Sequence, residues 1–152
     1  MASPSRMNPD AVQAVRALAR ASRVLERVSG ELNLAHYRVL AAIGSGDERA
    51  SRIAARLALG RPTVSAAVAS LCQRGLLTRA HDAGDRRAAA LALTLEGEAL
   101  LDRVESEMVA RIEDLCTRTP DGARVLESLR WLGAAIDEKH AERRAAREGR
   151  DR

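Results

Sequence analysis

Residues 47–97 read DERASRIAARLALGRPTVSAAVASLCQRGLLTRAHDAGDRRAAALALTLEG, and the changes of pattern within them decide the fold. Ile53, Ala54 and Leu57 share one face of a helix that Asp47 is placed to cap. Leu59-Gly60-Arg61 makes a tight turn, and Pro62 opens a second helix at a position where a missing N–H costs little. Val64, Val68, Leu71 and Cys72 lie on the inner face of that helix, and Gly75 ends it. From Leu76 the helical period is lost. Leu76–Ala80 reads as a strand, His81–Arg87 as a polar loop and Ala89–Leu93 as a returning strand. Helix, turn, helix and hairpin in this order describe a winged helix-turn-helix.

Outward from this unit the sequence is helical. Val12, Val15, Leu18, Leu25 and Val28 recur at helical spacing from about Pro9, with Gly30 as a stop. A second helix runs from about Asn33 to Ile43, ended by Gly44-Ser45-Gly46. After the hairpin, Thr94 caps a long helix through Leu100, Leu101, Val104, Met108, Ile112 and Leu115. Thr119-Pro120-Asp121 starts a last helix bearing Val125, Leu129, Leu132 and Ile136. The expected fold is mainly α with a small β-hairpin wing: a winged helix-turn-helix flanked by terminal dimerisation helices. The expected divisions are a disordered start (1–8), an N-terminal dimerisation helix (9–31) and the DNA-binding domain (32–97). C-terminal dimerisation helices (98–141) and a frayed charged tail (142–152) complete the chain. The outer helices keep apolar faces with no partner in the chain, and pairing with a second copy would cover them.

Composition agrees with a helical, nucleic-acid-facing protein. The chain is 46% hydrophobic, yet has no Phe, one Trp and one Tyr, so its core must be aliphatic. Net charge is +4, but residues 49–87 carry eight arginines against Asp82 and Asp85, a local +6. The rest of the chain is therefore net negative. A basic surplus confined to one segment is the electrostatic footprint of a polyanion partner. No stretch resembles a secretory signal or a membrane span, the longest uncharged run being Pro62–Gln73. Two cysteines make no disulfide framework and fit a reducing cytosol, which points to a cytoplasmic, nucleoid-associated protein without a membrane partner.

The helix opened by Pro62 is the candidate reader. Its apolar face is turned inward, leaving Arg61, Thr63, Ser65, Ala66 and Ala69 outward near its N-terminus. Small side chains let a helix sink into a major groove about 12 Å wide, and hydroxyls there can bond to bases or phosphates. Arg61 reaches toward a guanine edge or a phosphate; capping alone is the competing role for Thr63 and Ser65. In the hairpin loop, Asp82-Ala83-Gly84-Asp85-Arg86-Arg87 places two arginines at a tip beside an acid able to brace one of them. A braced arginine can enter a narrow minor groove; local pairing of exposed charges, each pair contributing about 0–1 kcal/mol, is the alternative.

The run Ile53–Ser65, followed by Leu71, Gly75-Leu76, Arg79, Asp82, Asp85-Arg86-Arg87, Leu91, Leu93-Thr94 and Gly97, resembles the MarR family of bacterial regulators. The resemblance extends from Leu32 to Gly97 by motif and over the rest by helix layout. It implies a triangular obligate dimer with intertwined terminal helices, and a recognition helix bearing Pro62, Thr63 and Ser65. It also implies a wing in which Asp85 orients Arg87 into the minor groove. Two positions depart from the pattern. Gly60 stands where a capping Ser is frequent, and Ala66 where many members carry Arg or another polar residue.

The same resemblance implies an effector, typically a small aromatic or phenolic anion held between the first, second and fifth helices. His36 and Tyr37 are the polar-aromatic pair in that region, and ordinary packing is their competing role. Some relatives are thiol switches with a cysteine near the N-terminal helices. Cys72 and Cys116 lie elsewhere, and their spacing from Val68 and Ile112 reads as buried packing. His36, His81 and His140 are scattered, so neither metal nor cofactor is expected. Without a nucleophile–base pair, a phosphate loop or a metal cluster, the chain is not expected to be an enzyme. A dimeric repressor of neighbouring genes acting on a palindromic operator is the favoured function. An architectural DNA-binding protein with little sequence choice is the alternative.

Overall fold

A computed structural model describes residues 8–47, 49–80 and 90–149. The elements run α1 (Pro9–Val28), α2 (Leu34–Gly44), α3 (Ala50–Leu57), α4 (Arg61–Gln73), β1 (Leu77–Ala80), β2 (Ala90–Leu93), α5 (Leu95–Cys116) and α6 (Gly122–Glu148). The order and the hairpin match the expected winged helix-turn-helix architecture. Expectations for Met1–Met7 and for the loop segment 81–89, which includes Asp82, Asp85, Arg86 and Arg87, lie outside the described residues.

Helix starts follow capping chemistry. The Asn8 side chain accepts from the Asp10 amide at 3.0 Å with Pro9 in the first turn, and Asn33 accepts from the His36 amide at 2.8 Å. Asp47 does not cap α3. The N-cap position is Arg49, with no side-chain cap bond, and Asp47 instead accepts from Arg56 at 2.9 Å. The carboxylate gains more from the guanidinium one helix length away than from a start it precedes by two residues. At the other end, α6 runs to Glu148, through residues expected to fray. Ala, Arg and Glu dominate that stretch, and their helix propensity sustains it without a core.

The core lies between α2, α4, α5 and the hairpin. Val39, Leu40, Ile53, Val64, Val68 and Leu71 are almost completely enclosed, joined by Leu77, Leu91, Leu100, Leu101, Val104 and Met108. Enclosing one such aliphatic side chain stabilises the fold by about 1.5–3 kcal/mol. The hairpin is antiparallel, with Leu77 opposite Leu93 and Arg79 opposite Leu91. Leu77 and Leu91 face the core while Thr78 and Ala92 face out, the alternation a half-buried sheet requires.

The outer helices differ. No residue of α1 is buried, and Val15 and Leu18 are exposed. Along α6, Val125, Leu126, Leu129, Trp131, Leu132 and Ile136 are all exposed. Toward the end of α5 Leu115 is exposed as well, while Cys116 is buried and Cys72 half-buried. The far end of α6 comes back to pack on α3. Among the described residues, no helix is long and apolar enough to cross a membrane.

Candidate nucleic-acid interface

The turn between α3 and α4 sets the direction of α4, the candidate reader. Ala58 closes α3 in the left-handed region (φ 51°), and Gly60 occupies the N-cap of α4 in extended backbone. Gly60 has no side chain to cap α4, consistent with the small loss expected where a capping Ser is frequent. Val64, Ala67, Val68 and Leu71 hold the inner face of α4 against the core. The opposite face is free: Arg61, Pro62, Thr63, Ser65, Ala66 and Ala69 are all exposed. Gln73 is exposed one turn beyond Ala69 and shares that outward face, with the 62, 66, 69, 73 spacing of a single helical stripe. The sequence reading stopped at Ala69; continuing the same period would have reached Gln73.

The far end of α4 is tied to the start of α5. The Thr94 hydroxyl donates to the Gly75 carbonyl at 2.6 Å and accepts the Gly97 amide at 3.0 Å, while the Thr94 amide donates to the Leu76 carbonyl at 3.2 Å. Gly75 leaves α4 at φ +72°, where glycine is unstrained. Gly97 sits so close to the Leu76 carbonyl that a Cβ there would collide with it. The motif residues at Gly75, Thr94 and Gly97 are thus one contact. The strands β1 and β2, which flank residues 81–89, adjoin the same contact.

His36 and Tyr37 face different neighbours. Burial, with the Arg74 guanidinium adding to it, lowers the His36 pKa below its usual 6.5. The Tyr37 hydroxyl donates to Glu105 Oε1 of α5 at 3.3 Å. Burial first, then the charge and hydrogen bond of Glu105, raise the Tyr37 pKa above 10.0. The pair therefore spans α2, α4 and α5. Nearby, Arg103 of α5 makes two bonds of 3.1 Å to Glu31, in the connection between α1 and α2. A cavity of about 590 Å³ opens between α1 and α5, lined by Arg27, Val28, Glu107, Ala110 and Arg111. No group of three or more His, Cys, Asp or Glu side chains suited to a metal occurs among the described residues.

The family model described as MarR family matches residues 31–88, which hold α2, α3, α4 and the first strand of the hairpin. Among curated proteins, none matches the chain. Solved structures share the fold. A MarR-family transcriptional regulator from Rhodococcus sp. RHA1 has a TM-score of 0.73 at 23% identity, over 88% of this chain and 96% of its own. The transcriptional repressor CouR bound to a 23-mer DNA duplex has a TM-score of 0.72 at 27% identity, over 88% and 99%. CouR from Rhodococcus jostii RHA1 bound to p-coumaroyl-CoA has a TM-score of 0.70 at 23% identity, over 89% and 96%. Both of these relatives are transcriptional regulators. Residues 31–88 are similar to the MarR family model, and the fold around them is the one that these solved regulators share.

Proposed function

We propose that the chain is a dimeric, DNA-binding repressor of neighbouring genes that acts on a palindromic operator in the cytoplasm, at the nucleoid. The observation that carries this is the outward face of α4. It begins with Arg61, carries only small side chains from Pro62 to Ala69, among them Thr63 and Ser65, and belongs to the segment that holds the basic surplus. A relative of the same fold is bound to a DNA duplex. In the proposed complex Arg61, Pro62, Thr63, Ser65 and Ala66 enter the major groove. Gln73 extends that face, and a glutamine amide suits adenine. In the wing, Asp85 braces Arg87 in the minor groove and Arg86 contacts phosphate.

A second copy is the natural cover for the apolar residues of α1 and α6, so residues 9–31 and 98–141 form the dimer body around the domain at 32–97. A small aromatic anion is the proposed effector, supported by the relative bound to p-coumaroyl-CoA. Tyr37, half-buried with its hydroxyl on α5, and the neighbouring His36 would report its arrival to α4.

Two alanines on the outward stripe, Ala66 and Ala69, favour a second reading with fewer base contacts and weak sequence choice. One experiment separates them. Binding to a palindrome from beside the gene is compared with a scrambled duplex at physiological salt. A repressor separates the two by roughly 10³-fold or more. Near-equal affinities establish the architectural function instead.

A further inference from the structure

The return of α6 onto α3 encloses a cavity of about 490 Å³ beside the helix-turn-helix. Ala54, Ala55, Ala58 and Leu59 give it an apolar floor, and its basic groups are Arg61 at the head of α4 and His140 and Arg143 from α6. No acidic side chain lines it among the described residues. The His140 Nδ1 is buried and has no hydrogen-bond partner among the described residues. A buried polar atom without a partner is unfavourable, and the guanidiniums of Arg61 and Arg143 line the same cavity and add positive field to it. A volume in the range of small-molecule sites, walled by methyl groups and edged with donors, suits an oxyanion on a compact body.

We infer that this cavity is an oxyanion-binding site, occupied by a phosphate-class group whose oxygens meet Arg61, His140 and Arg143. The site is separate from the α1–α2–α5 region proposed for the aromatic effector. It makes α6 a participant in DNA control, because its occupant and the DNA both engage Arg61. Two sources supply this chemistry: a free oxyanion, which competes with DNA, or a phosphate of the bound DNA backbone, which α6 then helps to hold.

The test uses the full chain and inorganic phosphate. Thermal unfolding is followed in phosphate and in chloride at matched ionic strength, a measurement that involves no nucleic acid. For a free oxyanion, phosphate raises the wild-type midpoint by several degrees more than chloride does. At least half of that excess disappears in Arg143→Gln and in His140→Ala. Phosphate also weakens binding of a labelled duplex severalfold in wild type and not in Arg143→Gln. For a backbone phosphate, free phosphate adds no stability. Arg143→Gln then lowers duplex affinity severalfold and reduces the slope of log affinity against log salt by about one. Either pattern supports the site. Wild type and both variants behaving alike in both arms, or an equal phosphate excess in all three (an adventitious ion only), overturns it. Circular dichroism of the variants confirms that α6 stays helical.

Discussion

The Thr94 hydroxyl sits 2.6 Å from the Gly75 carbonyl and bridges the end of α4 to the start of α5. The same oxygen caps α5 by accepting the Gly97 amide. Thr94→Val keeps the shape and removes both bonds. Losing a cap and a hydrogen bond together costs about 1–3 kcal/mol. Urea unfolding measures it, and Thr94→Ser should recover most of the loss.

Gly97→Ala carries the larger penalty. Alanine favours helix on its own account, yet here its Cβ meets the Leu76 carbonyl, so α5 must move from the end of α4. A loss of about 3 kcal/mol, the upper end for single substitutions, is expected in the same assay. An unchanged midpoint would show that the contact yields freely.

For DNA binding, Arg87→Ala should weaken operator affinity by about 1–3 kcal/mol while the oligomeric state is kept. Fluorescence anisotropy and size exclusion read the two properties separately. Unchanged affinity would remove the wing from the minor groove. Gln73→Ala tests the far end of the α4 stripe, with relaxed preference at one base pair as the expected result.

Leu129 and Leu132 are each about 40% exposed on α6, at 41% and 42%, which is high for leucines on one apolar face. If the proposed dimer forms through this face, replacing both with Asp should give a monomer by analytical ultracentrifugation and abolish binding to the proposed operator. A dimer that survives would require a different interface.

His36 gives a pH dependence of defined sign. Its folded pKa lies below 6.5, so the unfolded chain takes up the proton first. Stability is therefore fully present above 6.5 and declines as pH falls through that value toward the folded pKa. Unfolding midpoints at about pH 7.5 and about pH 5 should differ more for wild type than for His36→Gln. Equal differences would mean that His36 carries no part of the dependence.

Most of the DNA-binding unit was legible because its signals are local. Pro62 marks the start of α4, the spacing of Val64, Val68 and Leu71 marks its inner face, and Thr94 marks the start of α5. The misreading at Asp47 came from a longer-range event, its pairing with Arg56, which no local capping rule reveals. Gln73 escaped because the outward face was followed only near the helix N-terminus. The approach of His140 and Arg143 to Ala54 and Ala58 depends on α6 folding back over eighty residues of chain, and spacing alone does not carry that information.

The joint at Gly75, Thr94 and Gly97 makes the reading head and α5 one rigid piece, and this has a mechanical consequence. The 22 residues of α5 act as an arm about 33 Å long. A tilt of about 6° at its far end swings the near end by about 3.4 Å, the rise of one base along a DNA strand. A small tilt of α5 is thus enough to displace α4 by a distance comparable to one base step.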